Sequence, residues 1–563
     1  MPRIKMTVKK KCDIIKTDKK KRNIIKKKKK KGVKHMKKIV SYLLVGSMIL
    51  GSFSVTSSIT AFAGQVKKTE IEAESEQSST GVHVTYRTEE EILQFAKEHP
   101  YVMKSNKLME KKASMKKPYT QSGEISEEHK KAGLNALNLA RYIAGLDANV
   151  TLDESYNQMV QAGAYVKAIN DEMTHYPTKP TGMDESMYQL GAQGCRSSNL
   201  ALGYETISDA VFGWLSDEDE SNVDRVGHRR WILNPSLGKT GFGYVNGYSG
   251  MYAFDGSGSG NQTGVAWPAQ TMPIEYLNDL TQVEESAGLP YLPPMNSDEG
   301  DNYVSVYPWS FSYGSSVVAV FIQVTLTRER DQKQWKFSTK HSDGRLFVNN
   351  DGYGQSGCII FQPAGLSTFY GDDRFHVEIT GLEQPISYDV TLFSLDENAI
   401  EEALKKWMLQ APSTLFLGGE VDGTGTVSSY TSGKFNGKLT LKSSNEKVLQ
   451  INGRKLKPKK VGKATIIATY QIKDQTRTIK KVIQIKKPSL VMSKYKKTLK
   501  VGSTYQFGAK QEGLKGKITY SVSNKKVATI NSKTGMLKAL KKGKVTVIAK
   551  LGKRQAKVSV TIK

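Results

Sequence analysis

The chain has 563 residues, 38% of them hydrophobic and 9% aromatic, which is too long for one core and predicts three or four domains. Its formal net charge of +29 invites a nucleic-acid-binding reading, but residues 1–38 hold 19 Lys/Arg against 2 acids, residues 412–563 hold 35 against 5, and the stretch between them is net −18. An acidic body between a basic leader and a basic tail excludes a chain that is cationic throughout, and no nucleic-acid partner is expected, because aromatic stacking residues do not interleave the basic runs.

From Met36 the leader continues as "MKKIVSYLLVGSMILGSFSVTSSITAFAGQ": lysines, an apolar stretch centred on "YLLVGSMIL", then small residues at Ala61 and Ala63. That order is a secretory signal peptide with an A-x-A site, and cleavage after Ala63 is expected, making 1–63 leader and signal. Ser, Thr and Gly interrupt the apolar run, which argues against a membrane anchor there. The lysine-rich residues before Met36 are an over-long start or an extended n-region, with no role in the mature fold. No later segment is apolar enough to span a bilayer and the chain ends in "VSVTIK" without a sorting motif, so a secreted protein with no covalent anchor is expected. Only Cys195 and Cys358 survive cleavage; they fall in different predicted domains, and two free buried thiols are expected in place of a disulfide.

Residues 64–127 read as a polar spacer with one short helix at "TEEEILQFAKEHP", where Thr88 and Glu91 stand at capping-box spacing and Pro100 is the stop. Residues 128–280 open with two amphipathic helices. Leu134, Leu137 and Arg141 share one face of the first, and Tyr156, Val160, Ala164 and Ala168 one face of the second. His175 in "MTHYP" follows the second helix, and His228 opens another in "VGHRRWILNPSLGKTGFGYV". Between them lies "SSNLALGYETISDAVFGWLSDEDE", and beyond Gly241 the pattern changes to short strands, "GFGYV" and "MYAFD".

Together these segments resemble the CAP superfamily, the cysteine-rich secretory, antigen and pathogenesis-related group. Its bacterial members show a histidine after the second helix, a "GENIA" segment, a tryptophan further on and "GHRxxILNP" before a glycine-containing strand. Asn199 to Trp214 keeps that spacing, and the resemblance covers about Glu128 to Pro273. It implies an α/β/α sandwich with a surface cleft lined by two histidines and two acids. Carried over by position, the histidines are His175 and His228. "SSNLA" stands where "GENIA" would, so the first acid falls on Ser198, beside Asn199, and the second maps to Asp217 or Glu218.

Three chemistries are open to that set. His175 and His228 with one carboxylate could hold Zn²⁺ and activate water, although the acid missing at Ser198 leaves no spare residue for the general base. A hydrolase built from Ser198 and His228 lacks an assigned oxyanion hole and orienting acid, and "DGSGSG" from Asp255 puts Gly258 where a G-x-S-x-G elbow needs its serine. In the structural reading His228 caps and buttresses the helix start, Arg229 and Arg230 face acids in Asp217 to Glu220, and Trp214, Trp231 and Asn234 serve the core.

Residues 281–395 carry "SVVAVFIQVTLT", "GCIIFQP", "RFHVEITGL" and "SYDVTLFSL", separated by Gly, Asp and Asn, which predicts an all-β sandwich. "DENAIEEALKKWMLQ" makes 396–411 a helical linker. The tail then repeats: Asn445, Val448 and Ile451 answer to Asn524, Val527 and Ile530, and a Gly-Lys turn recurs at Gly462 and Gly543. The two units, 412–487 and 488–563, resemble bacterial immunoglobulin-like domains of group two. The expected class is α+β, a CAP-type α/β/α sandwich followed by an all-β sandwich and two immunoglobulin-like sandwiches. "NQT" at Asn261 fits a glycosylation pattern, but the composition and leader look bacterial. The expected function is a secreted, envelope-associated protein whose cleft binds a ligand or signals without catalysis and whose tail binds anionic wall polymers or the cell surface. A cleft hydrolase and an adhesin acting through the repeats are the alternatives, and the tail lysines have a bland reading as guards against edge-strand pairing.

Overall fold

Helix α1 (Glu89–Glu98) starts at the expected capping box: Glu91 N donates to Thr88 Oγ1 (3.2 Å) and Thr88 N donates to the Glu91 carboxylate (2.8 Å). The computed structural model describes residues 81–105, 107–278, 306–366, 368–418, 425–430, 434–493 and 496–563, so the leader, the signal peptide and residues 64–80 lie outside the described residues. Within them, α1 is part of the fold and not of a spacer. Ile92 is fully buried, Phe95 stacks on Tyr142 at 4.2 Å, and the short strands Met109–Lys111 and Glu124–Ile125 pair just before the next helix.

Helices α2 (Glu127–Ile143), α3 (Glu154–Asn170), α4 (Glu185–Arg196), α5 (Ile207–Ser216) and the short α6 (Gly227–Ile232) surround an antiparallel sheet ordered Ser198–Leu202, Tyr248–Tyr252, Phe242–Val245. Glycine in the sheet lets α3 lie close, since a Cβ on Gly243 would stand 2.4 Å from the Val160 backbone. The neighbouring Phe242 points to the opposite face, where it joins Leu137, Ile207 and Met251 in the main core. Helices therefore cover both faces, giving an α/β/α sandwich at the head of an α+β chain.

The second domain is two sheets packed face to face. One runs Lys333–Ser338, Gln323–Arg328, Arg374–Thr380, Ile386–Phe393, Thr271–Pro273; the other runs Gly344–Asn349, Cys358–Pro363, Trp309–Ser312, Val265–Trp267. Trp309 fills the space between them, 5.4 Å from Phe375 of the first sheet and 5.8 Å from Phe361 of the second. Two of these strands precede the expected boundary at 280: Trp267 is paired with Ser310, and Thr271 lies parallel to Thr391. The apolar segments "VAW" and "TMP" are fully buried and complete the sandwich edges, so the sandwich begins near residue 265. Cys195 and Cys358 are free and buried.

Each tail unit repeats one topology. Sheets ordered Thr414–Phe416, Gln475–Lys486, Gly462–Ile472, Lys438–Ser443 and Lys496–Leu499, Arg554–Ile562, Gly543–Leu551, Thr519–Val522 correspond strand for strand, each with a parallel pair at one edge. The repeated asparagines turn the chain in the same way, Asn445 accepting from Lys447 N at 3.1 Å and Asn524 from Lys526 N at 2.9 Å. Helix α7 (Ala399–Lys406) is no spacer. Ala403, Leu404 and the following Trp407 are buried in the core of the first unit, Trp407 stacks on Tyr470 at 5.3 Å, and its indole donates to Ser429 Oγ at 2.9 Å. The first unit also meets the body: Asn436 N and Gly437 N donate to Asp372 at 2.8 and 2.7 Å, and Lys473 pairs with Glu89 at 2.5 Å.

Trp407→Ala should therefore destabilise the first tail unit by about 3–5 kcal/mol, read as an early unfolding transition in denaturant. A fragment starting at residue 412 should show the same loss relative to one starting at 396; equal stability of the two fragments would return the helix to a linker.

Candidate functional site

The residues that the sequence assigns to a cleft are organised by the turn that follows α5. Asp217 closes that helix in the left-handed conformation (φ 44°), and this places its buried carboxylate against the start of α6. One oxygen accepts from Arg229 N at 2.9 Å and the other sits 2.7 Å from His228 Nδ1. The sequence suggested that His228 caps this helix. The structure corrects that: the residue before the helix, Val226, makes no side-chain cap, and Asp217 caps the helix from a distance while holding the imidazole. Of the two acidic candidates Asp217 reaches His228, whereas Glu218 is exposed. Asn199, on the central sheet, donates from its amide to the His228 carbonyl at 2.9 Å, fixing the histidine backbone from the other side.

His175 lies in the exposed segment after α3, with Nδ1 2.7 Å from the Cys195 carbonyl. Both imidazoles thus have Nδ1 engaged. Desolvation is the largest influence on His175 and lowers its pKa against the pull of the Cys195 carbonyl, with the charges of His228 and Lys167 adding to the depression. Burial also pulls the His228 pKa down, but the charge and hydrogen bond of Asp217 and the charge of Asp219 outweigh it, and the net shift is upward. Lys167 is a residue that the sequence reading missed. It is fully buried on α3, donates to the Ser249 carbonyl at 2.9 Å, and desolvation brings its pKa down to about 8. The two histidines are shifted in opposite directions, His228 upward and His175 downward.

Ser198 is buried, and its hydroxyl is without a hydrogen-bond partner. The Ser198–His228 contact that a serine hydrolase requires is not formed. The Zn²⁺ set does not assemble either. Asp217 is committed to His228 and to a backbone N–H, serine is a poor substitute for the missing acid, and among the described residues no three of His, Cys, Asp and Glu are grouped to hold a metal. Asp255 instead serves the fold, accepting from Gly238 N, Lys239 N and Ser257 N at 2.8–3.1 Å.

Of the acids of 217–220, Asp217 lies near enough for its charge to raise the pKa of both arginines after His228, but their guanidinium hydrogen bonds go elsewhere. Arg229 is buried, and its guanidinium donates to the Leu215 and Ser216 carbonyls at 2.6 and 2.8 Å and then across to the Pro308 carbonyl and Ser310 Oγ at 2.8 and 3.0 Å. Desolvation lowers its pKa to about 10. Arg230 donates to Asn349 Oδ1 at 2.7 Å and to the Asp351 and Gln355 carbonyls. Carbonyl oxygens at helix and strand ends suit the five fixed donors of a guanidinium, while the freed Glu220 pairs with Arg345 at 2.5 Å. Both arginines thereby join the first domain to the β-sandwich. The loop they hold brings Tyr353 against Gly227, where a Cβ would come within 3.1 Å of the ring. Val226, in the left-handed conformation (φ 42°), packs on Cys358 and Ile360 of the sandwich; strain of this kind costs about 1–3 kcal/mol.

Trp214 is a core anchor, donating to the Leu200 carbonyl at 3.0 Å. Asn234 is buried, accepts from Ser236 N at 3.1 Å, and offers its carbonyl to Arg141 at 2.6 Å. Trp231 is only half-buried. It lies 4.7 Å from Phe254, which is 53% exposed, and 6.2 Å from Tyr353, so an aromatic rim borders the helix that carries His228.

Residues 134–257 match the model of the cysteine-rich secretory protein family. The chain carries a CAP domain. Residues 488–562 match the model of the bacterial Ig-like domain, group 2. No curated protein matches the chain. Among solved structures, domains 4 and 5 of the S-layer protein SbsC are 19% identical over 28% of this chain and 96% of that one, with a TM-score of 0.19. A C-terminal 282-residue fragment of intimin in complex with the intimin-binding domain of its translocated receptor is 16% identical over 28% and 64%, with a TM-score of 0.15. These scores describe no shared overall fold. The CAP match ends before Val265, where the sandwich strands begin.

Two titrations check the cleft. In NMR, His228 should titrate above and His175 below the ordinary histidine value of 6.5. The stability that His228 gains from Asp217 is fully present below 6.5 and is lost as pH rises through its raised folded value; His175 contributes stability above 6.5 that is lost as pH falls through its depressed one. Asp217→Asn should remove the first dependence, bring His228 down, and cost about 2 kcal/mol. An unchanged His228 titration in that variant would contradict the geometry.

Proposed function

We propose that this protein is secreted and stays at the cell envelope, with the CAP cleft binding an anionic ligand group without turnover and the basic tail holding the molecule on anionic polymers. The observation that carries the reading is the asymmetry of charge on separate folding units. The last 152 residues have 35 Lys/Arg against 5 acids, and together with the helix before them they pack into two cores distinct from that of the body. The cleft supports the binding half. The pKa of His228 is raised, Asp217 and Asn199 hold it in place, and among the described residues Ser198 Oγ has no hydrogen-bond partner. Among the described residues no helix is long and apolar enough to cross a membrane.

Lysine-rich faces bind polyphosphate-like polymers largely by releasing counterions, so retention should fall steeply with salt. The full chain, a chain ending at residue 395 and a fragment spanning 396–563 are compared on isolated bacterial walls. The full chain and the fragment should both be retained at low salt and released by about 0.5 M salt, and both should lose retention when wall phosphate polymers are removed chemically. The chain ending at 395 should wash off throughout. Retention of that shortened chain, or salt-independent retention of the fragment, would overturn electrostatic anchoring.

A further inference from the structure

The open face of the β-sandwich carries a second arrangement of polar side chains, unconnected with the cleft. Along Arg374–Thr380 and Ile386–Phe393 the buried positions are Phe375, Val377, Ile379, Tyr388 and Val390. The alternate positions, His376, Glu378, Ser387 and Asp389, lie on the solvent side. His376 stands directly opposite Asp389 in the antiparallel register, and Ser387 stands opposite Glu378. His376 Nδ1 is 2.5 Å from Asp389 Oδ1, and Ser387 Oγ is 3.2 Å from His376 Nε2. The carboxylate thus selects the tautomer that donates from Nδ1, leaving Nε2 as the acceptor for the serine hydroxyl. This is the order of contacts that makes a serine nucleophilic: orienting acid, base, hydroxyl.

Two features separate this set from an ordinary surface ion pair. Asp389 and Glu378 approach opposite nitrogens of the ring, Glu378 Oε1 at 3.9 Å from Nε2, so the cluster cannot close around one metal ion. All three relay residues also sit inside regular paired strands, where the backbone fixes their spacing, and the His376 and Asp389 side chains are 37% and 36% exposed, within reach of a solute.

We propose that Ser387, activated by His376 and Asp389, is an acyl acceptor for activated esters. Ser387 Oγ attacks the ester carbonyl carbon as its proton passes to His376 Nε2. The tetrahedral adduct then collapses, the bond to the leaving oxygen breaks with its electron pair, and that oxygen takes the proton from Nε2. The products are acyl-Ser387 and a free alcohol, with no change of oxidation state. A flat sheet face gives little stabilisation to an oxyanion, so the substrate class is oxygen esters with a good leaving group, such as aryl esters.

The test treats the full chain with p-nitrophenyl acetate and maps acetylation by peptide mass spectrometry. Tail lysines, which acylate without help from a histidine, serve as the internal control. Ser387 should be acetylated in the wild type. His376→Gln should slow that modification by about 10²-fold, at the lower end of general-base contributions, and Asp389→Asn by tenfold or more, while lysine acetylation is unchanged in both. Circular dichroism and thermal melting establish that each variant is folded, and either one suffices if the other is not. The proposal is overturned if Ser387 stays unmodified at reagent concentrations that acetylate the lysines, or if the folded variants slow it less than tenfold. A purely structural cross-strand pair gives one of those two results.

Discussion

The Asp217 carboxylate is the point on which the candidate site and its surroundings depend. It is buried, accepts from a backbone N–H of α6, and holds the imidazole of His228. A short helix has little stability of its own, and this one lacks a side-chain cap on its preceding residue. The carboxylate therefore orients the helix, and the helix in turn aims Arg229 and Arg230 at the β-sandwich. One interaction thus sets the protonation preference of a histidine and the junction of two domains. Electrostatic tuning and domain packing are not separable here, because the same carboxylate satisfies both.

The paired histidines add a constraint of their own. His228 is pushed toward its cation by a neighbouring charge, whereas His175 is pushed toward its neutral form by desolvation and nearby cations. Groups whose environments move their pKa values apart are suited to divided labour. In this protein the two shifts run in opposite directions, and the serine that stands where the resemblance implies an acid leaves that position without charge.

The helical periodicity of "EEHKKAGLNALNLARYI", the capping box at Thr88 and the repeated asparagines of the tail were legible because each rests on contacts within a few residues. "GHRRWILNP" likewise marks α6. What the sequence did not disclose are partners far along the chain. Nothing near Arg230 signals Asn349, Asp351 or Gln355, and the acids of 217–220, closer in sequence, looked like the natural counter-charges. Carbonyl groups leave no trace in composition. The segments 265–267 and 271–273 are short apolar runs, and whether such a run closes one sheet or edges another depends on long-range pairing that periodicity cannot encode. Trp407 was readable as part of an amphipathic helix, but its burial required knowing which core lay beneath it.

The arginine pair has a consequence for how such a protein is inherited. A gene segment ending at residue 257, where the family match ends, would encode Arg229 without Pro308 and Ser310 and Arg230 without Asn349, Asp351 and Gln355. Unpartnered buried guanidinium groups are costly, and Val226 would lose the packing that opposes its strain. Recombination at that boundary would yield a poorly folding product, whereas exchange of the last immunoglobulin-like unit breaks no such contact with the cleft. Selection then acts on the first domain and the sandwich as a single heritable block, with the last immunoglobulin-like unit as the part free to be exchanged.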